Sequence, residues 1–407
     1  MKKSALFLLS ILVLLAMACK KDNDGPQNPK PLTLPPKGAE LIQQGNSFGL
    51  ELFKATASGE DGNMMLSPLS ASVALTMLLN GSEAETYQQI RDMLGFEGLS
   101  TGEINAAYNS LLMQLLSADP EVKLSLANAV WTRNDFHVRQ PFLDTISTAF
   151  SAHIEALDFS DLQSLDIMNG WASDNTYGRI DKVLSEISPL AVMFLMNAVY
   201  FKGTWTYTFD DDLTAPGPFL LDDGTQGEAL LMHGEFPAKT HLAADYQAIE
   251  LPYGRQNFAM VILVPAGTVA SFLPGFGGDD WIQLVDALDG QSTPSMTTVT
   301  MPKFGFEYEK ELNDQLKSLG MTDAFYPEMA DLSGIADDDI YVSFVKQNTF
   351  VEVNEEGTEA AAVTTIGIEL TSSDLPSFII NKPFIFIIRE RTTNTMMFIG
   401  KVNLPNN

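Results

Sequence analysis

Few residues of this chain have the type and spacing that chemistry requires, and Ser47 is the first to consider. It lies in the pentapeptide GNSFG at 45–49, which matches the G-x-S-x-G pattern around many hydrolase nucleophiles. Such a nucleophile needs a strand before it and a helix after it. Residues 40–53 have apolar side chains at helical spacing on both sides of Ser47, so we expect no catalytic serine here.

Acidic runs, glycine loops and histidines also lack the spacing of a functional site. The Asp runs at 210–212 and 337–339 do not have the ligand spacing of a calcium loop, and GFGGDD at 275–280 follows no strand pattern. No H-E-x-x-H zinc pattern occurs, and the 4 histidines are scattered, at His137, His153, His233 and His241. The sequence therefore predicts no enzyme, no metal site and no cofactor.

The segment 354–375, NEEGTEAAAVTTIGIELTSSDL, combines helix-forming residues with a strand-like pattern. Small and apolar residues alternate from Thr358 to Ile368, the period of a strand with one face on a core. No Pro interrupts Glu355–Leu375, so the backbone could pair as a central strand, although Ala and Gly are poor strand formers. These properties fit a segment that switches between loop and strand; the alternative is a permanent surface helix or loop.

Around this segment, helix patterns dominate the first half of the chain and strand patterns the second. Ser67 and Pro68 are typical of a helix N-cap and first position. The helix patterns run over 40–53, 66–81, 84–94, 102–117, 140–151 and 163–177. The strand patterns run over 122–133, 191–203, 246–264, 296–306, 340–353, 378–390 and 395–404. Without repeats or a second linker, this order predicts one large α+β domain.

The chain has 407 residues and a formal net charge of −28. Its length and its hydrophobic fraction of 45% allow a large core. A strongly negative surface repels polyanions, so we expect no nucleic-acid partner.

The N-terminus has the features of an export signal. Basic residues precede an apolar stretch at 5–16 that is too short to span a bilayer, and we expect a signal peptide over 1–18. Cys19, the 1 cysteine of the chain, resembles the acylated cysteine of a bacterial lipobox, although Ala16 stands where Leu is usual. The alternative is an ordinary signal peptide with a chance cysteine. Residues 19–38 are Pro-rich and predict an extended tether from a lipid anchor.

The segment EEGTEAAAVT at 355–364 resembles the hinge of the reactive-centre loop of serpins, a family of serine protease inhibitors. Further resemblances follow in order over about 40–405: NMMLSPLSASVALTMLLNGS (63–82), LSLANAVWTRNDF (124–136), NAVYFKGTW (197–205), ELPYGRQNFAMVILVP (250–265), DLSGI (331–335), FIINKPFIF (378–386) and MMFIGKV (396–402). The chain is identified as a bacterial lipoprotein member of this family. The resemblance implies a domain at 39–407 with about three β-sheets, eight or nine helices and an exposed reactive-centre loop at 355–377.

The resemblance also implies a mechanism without enzymatic turnover. A target protease attacks the loop and forms an acyl-enzyme, and the cleaved loop then inserts as a new strand of the main sheet and distorts the protease. The hinge must enter first, which suits its small residues. The hinge comprises Glu355, Gly357, Thr358, Ala360, Ala361 and Ala362.

Two further clusters are implied by the resemblance. A shutter beneath the parting strands corresponds to Ser67, Ser70, Asn197 and Gln347. The family usually has His where this chain has Gln347; because Gln both donates and accepts, we expect a working shutter with altered opening energetics and no pH switch. A breach that restrains the uncleaved loop corresponds to Trp205, Lys303 and Glu355.

Counting along the loop leaves three residues that could precede the scissile bond: Leu370, Thr371 and Ser372. None is basic, so we expect serine proteases with small or apolar primary pockets, such as elastase-, chymotrypsin- or subtilisin-like enzymes, with cysteine proteases as a further possibility. The alternative function is a non-inhibitory serpin that acts as a binding or structural envelope protein. We expect a monomer anchored through Cys19 to the surface or periplasmic face of the outer membrane, or otherwise secreted.

Overall fold

Most of the long helices lie in the first half of the chain. The computed structural model describes residues 28–358 and 375–405. Over these residues it contains nine α-helices: α1 (Gly38–Ala57), α2 (Pro68–Leu79), α3 (Ala84–Met93), α4 (Thr101–Leu115), α5 (Gln140–Phe150), α6 (Leu162–Asn175), α7 (Val269–Phe272), α8 (Gly278–Asp289) and α9 (Asn313–Ser318). The first six occur where the apolar spacing predicted them. Ser67 caps α2, since its Oγ accepts a hydrogen bond from the Ser70 N–H at 3.2 Å.

The strands form three sheets, two of which share a strand. The fifteen strands are β1 (Met64–Leu66), β2 (Val122–Arg133), β3 (His153–Leu157), β4 (Met193–Thr204), β5 (Asp210–Leu220), β6 (Gln226–Leu242), β7 (Tyr246–Tyr253), β8 (Phe258–Pro265), β9 (Ser295–Pro302), β10 (Phe304–Glu311), β11 (Lys346–Asn354), β12 (Gly357–Thr358), β13 (Ser377–Ile379), β14 (Phe384–Glu390) and β15 (Thr395–Val402). Long strand β6 pairs with β9 through residues 231–238 and with β7 through residues 239–242, which joins the second and third sheets. The predicted α+β class is confirmed.

The six-stranded main sheet has the order β10-β11-β12-β4-β2-β3. Strand β12 consists of two residues and lies between β11 and β4, antiparallel to both. The central sheet, with the order β1-β15-β14-β8-β7-β6, carries the core. Its strands β8, β14 and β15 are buried along their whole length, which explains their continuous apolar runs.

Three strand predictions differ from the structure. The pattern at 296–306 is two strands, because the chain breaks at Lys303, whose N–H bonds the Leu230 carbonyl at 2.8 Å. The pattern at 378–390 is also two strands, β13 and β14, which pair with different neighbours. In the predicted strand 340–353, only residues from Lys346 onward pair, since the backbone before it is taken by other partners, such as Val342 N–H to the Ala324 carbonyl at 2.8 Å. Strands β1, β3, β5 and β6 were not predicted. The first half of β5 is acidic and exposed, so it lacks the alternation of a half-buried strand.

The described part of the predicted tether, residues 28–38, is docked on the domain rather than extended. The backbone N–H and carbonyl of Lys30 bond the Asn257 side chain at 2.9 and 2.8 Å. Those of Thr33 bond the Gln114 side chain at 2.8 and 2.7 Å. Leu32 and Leu34 pack against the core, and α1 begins at Gly38. We call residues 30–37 the N-terminal strap. The prediction of a tether was wrong over this range, because two amide side chains form hydrogen bonds with its backbone and two Leu side chains pack against the core.

In residues 28–358 and 375–405, no helix is long and apolar enough to cross a membrane. The same ranges contain no group of three His, Cys, Asp or Glu side chains that could hold a metal ion.

Candidate functional site

The hinge begins inside the main sheet. Gly357 pairs with Asn354 on β11 and Thr204 on β4, with a φ of 153° that favours glycine. A Cβ on Gly357 would lie 2.1 Å from the Gly203 carbonyl oxygen, closer than any real contact. Only glycine therefore allows the hinge to enter between these strands in the observed conformation.

Thr358 is the next hinge residue, and its side chain points into the core. It is 3% exposed, and its Oγ1 shares a hydrogen bond of 2.6 Å with the Tyr253 hydroxyl. Burial raises the pKa of the Tyr253 phenol, which therefore stays protonated at neutral pH. A small polar side chain at Thr358 thus satisfies a buried hydroxyl that would otherwise lack a partner.

The breach stacks aromatic rings under the hinge. The ring of Trp205 lies parallel to that of Tyr253, with centroids 4.3 Å apart and an interplanar angle of 12°. Its indole Nε1 donates to the Asn354 carbonyl at 3.0 Å, and its backbone N–H donates to the Glu356 carbonyl at 2.8 Å. Trp205 therefore holds the turn between β11 and β12 from two sides.

Glu355 holds the start of the hinge through an ion pair and a hydrogen bond. Its carboxylate accepts from the Lys303 Nζ at 2.7 Å and from the Thr214 Oγ1 at 2.7 Å. Burial would raise the pKa of the Glu355 carboxyl, but the hydrogen bonds from Lys303 and Thr214 outweigh it, and the pKa lies below its ordinary value. The predicted breach residues Trp205, Lys303 and Glu355 thus meet at one place.

On the β11 side of the shutter, Gln347 binds the first turn of α2. Its Nε2 donates to the Ser67 carbonyl at 2.9 Å, and its Oε1 accepts from the Ser67 N–H at 3.1 Å. The Ser67 Oγ donates to the Met397 carbonyl at 2.8 Å. Both the Nε2 and the Oε1 of Gln347 are hydrogen-bonded. An uncharged side chain therefore ties β11 to α2 at a position where the family that the sequence resembles usually has histidine.

On the β4 side, Asn197 forms a chain of side-chain hydrogen bonds. Its Oδ1 accepts from the Ser70 Oγ, and its Nδ2 donates to the Asn128 Oδ1 at 2.6 Å. The Asn128 Nδ2 then donates to the Phe150 carbonyl at 2.9 Å. Asn128 was missed from the sequence, although a polar residue at a buried position of β2 was the available signal. The structure brings the four predicted shutter residues to the start of α2, with β11 and β4 each tied to it separately.

The edges of β4 and β11 that face each other form what we call the seam, residues 193–202 of β4 and 346–352 of β11. Within residues 28–358 and 375–405, the seam itself has no ladder partner, and β12 pairs with the residues next to it, 203–204 of β4 and 353–354 of β11. Because β12 lies between them, the strands are two strand spacings apart at that level, about 9.6 Å. A chain that continued β12 would therefore run along the seam and could pair with both edges.

A short turn after α6 bridges the seam on the outer face of the sheet. The ring of Tyr177 packs against that of Tyr200 on β4, with centroids 4.7 Å apart and an interplanar angle of 47°. Two residues later, the Arg179 guanidinium lies over the Phe350 ring of β11, 4.8 Å from its centroid. We call this feature the bridge. It was not predicted from the sequence, because its contacts join residues far apart in the chain.

The hinge residues Ala360, Ala361 and Ala362 and the candidate bond residues Leu370, Thr371 and Ser372 lie outside the described residues, as does Cys19. Of the sites predicted from the sequence, the structure describes Glu355–Thr358 of the hinge and all residues of the breach and the shutter.

Known proteins place this architecture in one family. The sequence model of the Serpin (serine protease inhibitor) family matches residues 43–405. The chain belongs to the serpin family. Human neuroserpin is 31% identical over 367 residues, which are 86% of this chain and 88% of neuroserpin. The native state of tengpin, a thermophilic serpin, aligns with a TM-score of 0.82 and 30% identity, covering 93% of this chain and 97% of tengpin.

The latent state of tengpin aligns less well with this serpin. Its TM-score is 0.76 at 31% identity, covering 89% of this chain and 96% of that one. Serpins are mostly protease inhibitors rather than enzymes, so the fold is that of a protease inhibitor and its general partner is a protease.

Proposed function

We propose that this serpin inhibits endopeptidases as a suicide substrate, by inserting its cleaved loop into the seam. The observation that carries the proposal is the position of β12, which starts a strand between β4 and β11 before any cleavage. The rest of the loop needs only to extend that strand. Each added residue would pair with the seam edges of β4 and β11, which have no ladder partner among the described residues.

The inward-facing loop residues suit the core side of the seam. If the loop continued the β12 register, Ala360 would lie between Phe201 and Val351, where the core is densely packed and a small side chain is needed. In the same register, Thr364 would lie between Asn197 and Gln347. A hydroxyl at that point could bond both shutter amides, which the structure ties separately to α2.

The outward-facing residues suit the other side. In the continued register, Ala361 would lie between Tyr200 and Phe350, directly under the bridge. A side chain larger than Ala would have to displace the rings or the guanidinium. This explains a small residue at an outward-facing hinge position, where solvent exposure alone would allow any size.

The driving force is the completion of the sheet. Insertion would form on the order of ten ladder hydrogen bonds, each worth about 0.5–1.5 kcal/mol. Apolar burial of residues such as Ile366 and Ile368 adds to this. A protease that forms an acyl-enzyme with the loop would be carried along before it could deacylate.

The target class follows from the loop residues. We propose that Leu370, Thr371 or Ser372 precedes the scissile bond and that the targets are serine proteases with small or apolar primary pockets. None of these side chains could pair with the acidic pocket of a trypsin-like enzyme.

The test is incubation of the soluble protein, beginning at residue 28, with elastase-, chymotrypsin- and subtilisin-like proteases, followed by denaturing gel electrophoresis and mass spectrometry. We expect a covalent complex with at least one of them and a released C-terminal peptide whose mass identifies the bond. A trypsin-like protease is the control and should give no complex. Cleavage by every protease without a complex would contradict inhibition and favour a binding or structural role.

We also propose that the protein is exported and lipid-anchored through Cys19, on the resemblance of residues 1–19 to a lipoprotein signal. Because the strap is docked from Lys30 onward, residues 20–29 would span at most about 35 Å between Cys19 and the domain if they were fully extended. Mass spectrometry of the mature N-terminus should find acylated Cys19. A non-acylated N-terminus downstream of Ala18 would show secretion instead.

A further inference from the structure

Three cations surround the point where the loop would enter the seam on the outer face. Lys123 on β2 is the direct neighbour of Lys202 on β4. Neither forms an ion pair with another residue in the described ranges, and the Lys123 Nζ lies 4.1 Å from the Tyr177 ring centroid. Like charges directly opposite on neighbouring strands are unfavourable. In a chain with a net charge of −28, this uncompensated pair calls for a physical reason.

The third cation is Arg179, which lies over the opposite side of the seam. Its Nη2 is 3.7 Å from a carboxylate oxygen of Glu352 on β11. Lys202 on β4 and Glu352 on β11 therefore flank the seam one residue beyond the pairs of Thr358. Arg179 partly neutralises the charge of Glu352. We call Lys123, Lys202 and Arg179 the cationic cradle.

The register of β12 identifies an occupant. Thr358 pairs with Gly203 of β4 and Val353 of β11, so the next loop residue, Glu359, would pair with Lys202 and Glu352. Thr358 points inward to Tyr253, so in a strand that continued β12 the next side chain would point outward, to the face that carries the cradle. Insertion would thus bring the Glu359 carboxylate to the position where the sheet has an excess of positive charge.

We propose that the cationic cradle receives Glu359 as the first outward-facing residue of the inserting loop, with Lys202 as its direct partner and a positioning role in insertion. The inference rests on the proposed inhibitory function and deepens it. The pair sets the register of entry: a slip by one residue would turn Glu359 toward Phe201 and the core, where a carboxylate has no partner. Lys123 and Arg179 add positive charge beside this pair, and Arg179 screens the repulsion from Glu352.

The test separates the cradle from inhibition by supplying the strand as a peptide. An acetylated peptide with the sequence of residues 359–369 is annealed to the intact protein, and its association rate is measured. A second peptide carries Gln in place of Glu359. Both are applied to the wild type, to Lys202→Met, and to Lys317→Met as a matched lysine variant remote from the seam.

On the wild type and on Lys317→Met, we expect the Gln peptide to associate about two- to fivefold more slowly, the size of an exposed cross-strand ion pair. On Lys202→Met the two peptides should associate equally, and the difference on the wild type should shrink with added salt. Equal association rates of the two peptides on the wild type would overturn the cradle, and so would the same rate difference on Lys202→Met. If protease complexes still form in that case, the proposal of inhibition stands. Failure of both peptides to anneal, together with absence of complexes, would overturn insertion itself and the cradle with it.

Discussion

Replacing Thr358 by Arg tests the hinge directly. The side chain at this position is 3% exposed and lies against the Tyr253 hydroxyl, so a guanidinium would enter the core without a carboxylate partner. An unpaired buried charge costs about 3–5 kcal/mol. Because Thr358 already lies in the sheet before cleavage, Arg should expel β12 from the sheet, and the loop would then have to bring the charge back in to insert. Half of that cost, carried by the transition state for insertion, would slow insertion by about 13- to 70-fold relative to deacylation.

The assay is the stoichiometry of inhibition against a protease that forms a complex with the wild type. Thr358→Arg should consume about ten or more inhibitor molecules per protease inactivated, with cleaved inhibitor accumulating on the gel. Thr358→Ser keeps the hydroxyl and should behave as the wild type. Thr358→Val keeps the shape but leaves the Tyr253 hydroxyl unpaired, so an intermediate effect is expected. Undiminished inhibition by Thr358→Arg would refute the inward insertion of this residue.

Three further predictions concern the restraints on the uncleaved state. The pKa of Glu355 is lowered in the folded protein, so its ion pair with Lys303 is fully formed above the ordinary value of 4.5 and is lost as the pH falls through the lowered pKa. Spontaneous loss of inhibitory activity should therefore become faster in acid. The variant Glu355→Gln should lose this dependence on acid. Asn197→Ala leaves two buried partners unpaired and should cost about 1–3 kcal/mol in the unfolding free energy by urea titration, whereas unchanged stability would show that the shutter chain is not formed. Removal of the N-terminal strap by starting the chain at Gly38 should lower the Tm by about 3–5 °C in scanning calorimetry, from the loss of a few hydrogen bonds and two packed Leu side chains; an equal Tm would mean that the strap does not dock in solution.

The sequence predicted elements whose signals are local. Helix α2 was predicted with its Ser67 cap and its Pro68, and β8, β14 and β15 were predicted as apolar runs, because burial on both faces leaves an unmistakable composition. The family resemblance located the breach residues and the hinge residues; of the hinge, the structure describes Glu355, Gly357 and Thr358 and places them at the breach.

What the sequence missed depends on contacts between distant residues. Tyr253 meets Thr358 from 105 positions away, and Asn128 meets Asn197 only because β2 and β4 pair in that register. The strap was misjudged for the same reason. Its Pro-rich composition predicted an extended chain, whereas amide side chains such as Asn257, on the turn after β7, satisfy its backbone.

The central claim is that the cleaved loop becomes a strand between β4 and β11, and the most direct measurement is the Tm of the protein before and after a single cut in the loop, with mass spectrometry to show that both fragments remain associated. About ten new ladder hydrogen bonds, or about 5–15 kcal/mol, should raise the Tm of a chain this size by about 10–20 °C. A cleaved protein with an unchanged or lower Tm would contradict the account, because the seam would then have gained no strand.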